Sequence, residues 1–416
     1  MTDIAIKTRD AIDVEVHLPG SKSYSNRALL IAALAKGTST LSGLLESDDT
    51  KVMKNALQHM GLEFSINDEE LKIYGCEGTL KEPGEDLFLN NAGTATRFLT
   101  TTCALINGTT IVTGNERMQE RPIVDLLDGL KQLGVDCQSK TGCPPIKLIG
   151  PSLVGGLTKI SGKISSQFIS SILISAPYAQ KPVIIEIKDE LVSKPYIDIT
   201  LDIMKTFGIN VINKDYMEFH IPLGCYQACN YNVEPDASGA SYFLNAAALT
   251  KGKAKVYINS DTVQGDFQYF KALERMGCHV KVSNSFIELE GSALKGIDID
   301  MESIPDMAQS LAVVAAYAEG TTRITNVYNL RVKETDRLDA CYNELKKMGI
   351  DVEQTRDSLT IHGGTPHGAH IDTYDDHRMA MAFSGAGLVT EGIVIKDAGC
   401  VSKTFPTFWD LFGELS

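Results

Sequence analysis

The means for disulfide and zinc chemistry are the first thing this sequence lacks. Its nine cysteines, at 76, 103, 137, 143, 225, 229, 278, 341 and 400, are scattered, odd in number and free of any CxxC pair. That pattern excludes a disulfide framework and fits a reducing compartment. No HxxxH, HExxH or clustered carboxylate set has the spacing of metal ligands, so neither metal nor cofactor is expected. No stretch approaches 18 apolar residues, and the N-terminal MTDIAIKTRDAIDVEV has no basic segment leading into an apolar run. A soluble, untargeted cytoplasmic protein without a membrane partner is expected. Positive charge is also short. Against 53 Asp and Glu stand 39 Lys and Arg, a formal net charge of −14 with no basic stripe, which excludes generic nucleic-acid binding. Cations gathered at one place are therefore informative. The phosphate loop of nucleotidases is missing too, because Glu15 stands where its first glycine would precede GSKS.

What is present begins with length: 416 residues, 43% hydrophobic and 22% charged, exceed one core and predict two to four domains. A phrase recurs along them, an amphipathic segment ending in a bulky residue and glycine, followed by a short β-like run. It reads ALQHMGLEFSI, LLDGLKQLGVDCQ, LDIMKTFGINVI, FKALERMGCHVKV and CYNELKKMGIDVE, with glycines at 61, 134, 208, 277 and 349. The spacings of 73, 74, 69 and 72 make a period near 70. Upstream of each phrase lies a small, apolar helical candidate, then a glycine suited to a left-handed cap and a β-branched run. The unit reads β-α-β-α-β-β, and its first helices are predicted near Ser25, Thr94, Ser166, Ala240, Met307 and Arg378. The sixth unit is unfinished, because FPTFWDLFGELS ends the chain. The N-terminal strands, with Ile12, Val14, Val16 and Leu18 alternating, are expected to complete it. The predicted domains are 20–233, holding three units, and 1–19 with 234–416, holding the other three. The chain crosses between them near Pro19–Gly20 and Glu234–Pro235, a natural hinge.

Unusual polar residues concentrate at helix starts in this scheme. First helices open on Lys22, Ser23 and Arg27; Asn91, Gly93, Thr94 and Arg97; Ser165, Ser166 and Gln167; Asp236 and Ser238; Asp306; and His377 with Arg378. Second helices open on Asp48 and Asp49, Arg121, Ser193 with Lys194, Gln264 with Asp266, RVKETDR, and Lys403. A helix start attracts anions and disfavours cations by roughly 0.3–1 kcal/mol each. Each cluster alone also reads blandly: a capped surface helix at Lys22, a tight turn at Asn91–Gly93, an exposed helical ion-pair face at Lys333, Glu334 and Arg337. Their joint recurrence favours one cleft that binds phosphates and carboxylates between two three-unit domains.

Taken in order, LPGSKSYSNRALL, NNAGTATRFL, NERMQERPI, SSQF, LVSKPYIDIT, PDASGASYFL, IPDMAQ, NLRVKETDRL, YDDHRMAM and KTFP resemble the 5-enolpyruvylshikimate-3-phosphate synthases over essentially the whole chain. The resemblance implies an α/β fold of two domains, each of three βαβαββ units, in the inside-out α/β barrel of enolpyruvyl transferases. It implies transfer of enolpyruvate from phosphoenolpyruvate to the 5-hydroxyl of shikimate 3-phosphate, with release of phosphate, on the route to chorismate and aromatic amino acids. It also implies a monomer whose partners are these two small substrates. The nearest rivals are a UDP-N-acetylglucosamine enolpyruvyl transferase, whose cysteine-bearing loop is not evident, and a non-catalytic anion-binding protein.

The same resemblance assigns shikimate 3-phosphate to Lys22, Ser23, Arg27, Ser165, Ser166, Gln167, Ser193, Asp306, Asn329 and Lys333. Phosphoenolpyruvate falls to Lys22, Gly93, Arg121, Gln167, Arg337, Arg378 and Lys403. Arginine forks suit carboxylate and phosphate, and lysine supplies a mobile charge. Catalysis is assigned to Asp306 as base for the hydroxyl, Glu334 as proton donor to C3, and Lys22 as neutraliser of the departing phosphate. Thr96 and Phe98 stand where many bacterial and plant members read methionine and proline, wording closer to the fungal multifunctional protein's domain. Glyphosate, which competes with phosphoenolpyruvate in this family, is expected to bind because Gly93 is retained.

Overall fold

A computed structural model describes residues 2–67 and 70–415. It divides into two compact units, Gly20–Glu234 and Met1–Pro19 with Pro235–Ser416. Each has its own hydrophobic core, built round helices that are buried on every side. In the first unit these are Lys22–Leu34, Gly93–Thr102 and Ser166–Ser175; in the second, Ala237–Thr250, Ala308–Ala315 and His377–Gly387. A helix without an exposed polar stripe is one that is surrounded, and nearly every residue of these six is buried, Arg27 and Arg97 included. The amphipathic helices, Asp48–His59, Val124–Gln132, Pro195–Thr206 and Arg337–Lys347 among them, keep one stripe inward and one outward.

Small side chains let the inner helices approach closely, and their hydroxyls bond one another. Thr101 and Ser171 lie 2.5 Å apart and Thr102 and Ser175 3.0 Å apart in the first unit. In the second, Ser241 lies 3.1 Å from Ser310 and Asn245 donates to the Ser310 carbonyl at 2.8 Å. Each hydroxyl buried this way keeps a partner, which removes the cost of taking it from water.

The five recurring glycines end their helices in one way. Gly61, Gly134, Gly208, Gly277 and Gly349 all have positive φ, between 79° and 114°. Each donates its N–H three residues back, while the next residue donates five back, as in Gly61 to Gln58 and Leu62 to Leu57. This is the Schellman cap, and the residue after each glycine (Leu62, Val135, Ile209, Cys278, Ile350) is buried as the motif requires. After the Ala237–Thr250 helix the left-handed position falls instead to Lys251, at φ 55°. Gly252 is spent on a close approach, since a Cβ there would sit 2.2 Å from the Ile12 carbonyl oxygen.

Among the described residues the strands form six sheets, five of four strands and one of three. In the four-stranded sheets a first strand runs parallel to the second, and an antiparallel hairpin completes the order. The N-terminal strands do not both complete the sixth unit. Only Ile4–Ala5 does so, pairing with Val394–Ile395. Asp13–His17 instead lies parallel to Lys253–Tyr257 in the fourth unit's sheet. Likewise Asn230–Asn232 pairs with Thr38–Ser42 in the first unit's sheet. The strand that precedes each crossing thus belongs to the sheet of the unit it leaves. The crossings are fixed by backbone bonds within each unit, from Ser21 N–H to the Glu234 carbonyl at 2.7 Å and from Asp236 N–H to the Pro19 carbonyl at 2.9 Å.

Candidate active site

In the Gly20–Glu234 unit, Lys22 is the first residue of its helix, and its Nζ lies 3.5 Å from Asp49 Oδ2 at the start of the Asp48–His59 helix. The chain thus supplies a carboxylate to offset a cation that the helix dipole disfavours. Arg27, one turn on, is 2% exposed and donates to Thr200 Oγ1 at 2.7 Å, the Ser23 carbonyl at 2.9 Å, the Tyr196 carbonyl at 3.0 Å and Ser170 Oγ at 3.4 Å. Burial lowers its guanidinium to about 10. The guanidinium also lies 5.0 Å from the centre of the Phe98 ring, so the aromatic at that departure from the common wording gives Arg27 a cation–π face. Thr96 bonds back to the Ala92 carbonyl at 3.0 Å. Arg27 holds the Lys22 helix against its neighbours as much as it offers a charge.

Gly93 opens its helix with the Arg121 guanidinium against it; a Cβ there would meet Arg121 Nη2 at 2.6 Å. Arg121 donates to Asn91 Oδ1 at 2.9 Å and is 4% exposed. It lies three residues before the Val124–Gln132 helix, where Arg97 braces its loop through the Pro122 carbonyl at 3.2 Å. Ser165 caps the Ser166–Ser175 helix, accepting from Gln167 N–H at 3.2 Å, and Gln167 Nε2 donates to Thr94 Oγ1 at 3.2 Å. That bond ties the first turns of two inner helices together. Ser193 is buried at φ 56°, two residues before the Pro195–Thr206 helix.

In the other unit the structure gathers Asp306, Lys333, Glu334, Arg337 and Arg378. Asp306 Oδ1 lies 2.9 Å from Arg337 Nη1 and 3.6 Å from Lys333 Nζ, and its Oδ2 lies 3.0 Å from Arg378 Nη2. Burial alone would raise its carboxyl, but Arg378, Lys333 and Arg337 hold it well below the usual carboxylate range. Arg337, 1% exposed, reaches Asp376 Oδ2 at 2.7 Å and Glu334 Oε2 at 2.9 Å as well. Burial opposes its charge, yet Asp376, Glu334 and Asp306 together raise its pKa. Arg378 also donates to Ser238 Oγ at 3.3 Å and Tyr242 OH at 3.4 Å. Ser238 bonds to Asp266, whose carboxyl burial pushes up to about 6 against the pull of Arg378.

Lys333, Glu334 and Arg337 do not form an exposed helical face. Lys333 is extended, at φ −87° and ψ −154°, and the helix begins only at Arg337, with Asp336 as its cap. Helical spacing misled here because Asp336 restarts the backbone after the short Tyr328–Val332 turn. Asn329 lies buried in that turn, and Lys403, half-buried, ends the turn Ala398–Lys403 rather than opening a helix. Among the described residues no group of three or more His, Cys, Asp or Glu could hold a metal, and no helix is long and apolar enough to cross a membrane.

A family model described as EPSP synthase (3-phosphoshikimate 1-carboxyvinyltransferase) matches residues 6–412. The chain belongs to the EPSP synthase family. It is 47% identical over 427 residues to a 3-phosphoshikimate 1-carboxyvinyltransferase of Vibrio campbellii and 47% identical over 430 residues to that of Sulfurovum sp., with all of each chain covered. Among solved structures it is similar to the EPSP synthase of Acinetobacter baumannii, at TM-score 0.82 and 28% identity, covering 100% of this chain and 98% of that one. The enolpyruvyl transferase NikO of Streptomyces tendae, at TM-score 0.80 and 16% identity, shares the fold. The chain is thus an α/β protein of the enolpyruvyl transferase fold.

Within this EPSP synthase relative, several residues around the assigned ones went unassigned in the sequence reading. Asp376 looks like an ordinary helix cap and does accept from Arg378 N–H at 2.9 Å, but its carboxylate is also the fork that fixes Arg337. Arg331 pins the Tyr328–Val332 turn to the neighbouring hairpin, through the Arg356 carbonyl at 2.8 Å and Gln354 Oε1 at 2.9 Å, and to the helix cap through Asp336 Oδ2 at 2.9 Å. Nothing in the sequence separates Asp376 from an ordinary helix cap. No local signal marks the tie of Arg331 to the hairpin, whose Gln354 and Arg356 lie more than 20 residues away.

Proposed function

We propose that the chain transfers the enolpyruvyl group of phosphoenolpyruvate to the 5-hydroxyl of shikimate 3-phosphate, the EPSP synthase step of the shikimate pathway. The observation that carries the reading is the cluster in which Asp306 meets Arg337, Arg378 and Lys333. It unites a carboxylate base with cations for substrates that each carry a carboxylate and a phosphate, and Glu334 adjoins it through Arg337. In this reading Arg337, Arg378, Lys403, Gly93, Arg121 and Gln167 bind phosphoenolpyruvate. Shikimate 3-phosphate is held by Ser23, Arg27, Ser165, Ser166, Gln167, Ser193, Asn329, Lys333 and Asp306, and Lys22 touches both. The hydroxyl oxygen bonds to C2 as Asp306 takes its proton, and Glu334 delivers a proton to C3, giving a tetrahedral adduct. Lys22 then steadies the phosphate as its C–O bond breaks, while the Glu334 carboxylate takes a proton back from C3 and the double bond returns. The protein works as a cytoplasmic monomer without metal or cofactor. Mixing it with phosphoenolpyruvate and either shikimate 3-phosphate or UDP-N-acetylglucosamine, and measuring phosphate, tests the reading: release with the shikimate acceptor is expected, and release with neither rejects catalysis.

Arg121→Ala is expected to raise the KM for phosphoenolpyruvate about 100-fold, the loss of a charge-assisted, two-pronged contact. Gly93→Ala should act the same way more mildly, because its Cβ must push the buried Arg121 guanidinium aside. Steady-state kinetics with each substrate varied in turn checks both. Equal loss for the two substrates at Arg121→Ala would show a structural role instead.

A further inference from the structure

We propose that Glu344 is a positioning residue for Arg337 and Arg378, acting through the turn 372–376; the proposal rests on the substrate reading above. Glu344 lies on the Arg337–Lys347 helix, two turns beyond Arg337, and is fully buried. A carboxylate at such a place costs stability unless it is bonded, and packing alone would favour an apolar residue. Its bonds go to one loop and one neighbour. Oε2 accepts from Asp372 N–H at 3.1 Å, Oε1 accepts from the Tyr374 hydroxyl at 2.6 Å, and Lys347 Nζ lies 2.9 Å from both oxygens. Lys347 also pairs with Asp372, so the clamp has two jaws.

The loop it clamps needs holding. Tyr374 and Asp375 are consecutive non-glycine residues in the left-handed region, at φ 55° and 53°. Such residues persist there only where surrounding contacts impose the conformation. The next residue is Asp376, which grips Arg337 and caps the helix carrying Arg378. The loop is therefore tied to the Arg337–Lys347 helix at two points, Glu344 at one end and Arg337 at the other. Releasing the Glu344 end lets the turn relax and moves both arginines together, without touching either.

Glu344→Ala is expected to raise the KM for phosphoenolpyruvate about tenfold, while the Kd for shikimate 3-phosphate alone changes less than twofold. Tyr374→Phe, which deletes one bond and leaves the packing intact, should shift the same KM about threefold. Adding Tyr374→Gly to Glu344→Ala should recover most of the loss, because glycine takes positive φ without a clamp. A parallel loss for both substrates, or no recovery with glycine, overturns the proposal. If Glu344→Ala does not fold, an unchanged KM in Tyr374→Phe and Glu344→Gln overturns it equally. If the unaltered protein releases no phosphate, the substrate reading fails by itself. Amide exchange then decides: faster exchange confined to 372–378 in Tyr374→Phe supports the clamp, and unchanged or uniform exchange rejects it.

Discussion

Replacing Arg337 by alanine is expected to destabilise the protein by about 3–5 kcal/mol, the usual cost of removing one partner from a buried ion pair. The site justifies the upper end. Asp376 is fully buried and Glu334 is 8% exposed, and both lose a charge partner at once. Turnover should fall roughly 1,000-fold, since the arginine fork proposed for phosphoenolpyruvate is lost and Asp306 loses one of the groups that orient it. Arg337→Lys should restore little, because a point charge cannot bridge Asp376, Glu334 and Asp306 simultaneously. The stability loss should depend on pH in a definite sense. Asp306 is held below its ordinary value, so its contribution is present above about pH 4 and disappears as pH falls through its folded pKa. Arg337→Ala removes one of the three cations responsible. The gap between parent and variant in urea unfolding is thus expected at full size at pH 7 and smaller below pH 4. Equal denaturation midpoints at pH 7 would refute the role given to this arginine.

The residues that made the fold legible were those whose physics is local. Gly61, Gly134, Gly208, Gly277 and Gly349 announced a repeat because a Schellman cap needs only a glycine and an apolar residue after it. The inner helices start close to where their apolar runs placed them, as at Ser166 and at His377, one residue before Arg378. What escaped was long-range. Nothing in Asp13–His17 says that its parallel partner is Lys253–Tyr257 rather than a strand of the last unit, because alternation specifies a face and not a neighbour. The site divides along the same line. Lys22, Arg121, Lys333, Arg378 and Lys403 stood out as cations where helix dipoles disfavour them, although Lys333 is extended and Lys403 ends a turn. The pairing of Lys22 with Asp49 and of Arg337 with Asp376 was not legible, since those carboxylates are what any helix start would carry. Glu344 was less visible still: in the run NELKK it reads as one more charge on a solvated face.

Asp306→Asn is expected to lower kcat by about 1,000-fold while leaving both substrates bound at least as tightly. Asparagine keeps the shape and can still accept from Arg378, so the change is one of charge and basicity. A positioned general base contributes roughly 100- to 10,000-fold. Binding should not suffer, because Asp306 shares Arg378, Arg337 and Lys333 with the anions those residues are proposed to hold. The same sharing explains how so acidic a carboxyl can act as a base. Held by three cations, Asp306 has little appetite for a proton. Anionic substrates that engage Arg378 and Lys333 would offset part of that positive charge, and the proton affinity of Asp306 would rise when a hydroxyl is there to be deprotonated. The consequence is readable in pH profiles. In kcat/KM, which reports the free enzyme, Asp306 should give no acid limb between pH 5 and 8; in kcat, which reports the complex, its limb should lie at higher pH. Turnover of Asp306→Asn within tenfold of the parent would remove Asp306 as the base, and Glu334, joined to it through Arg337, would be the next carboxylate to test in that role.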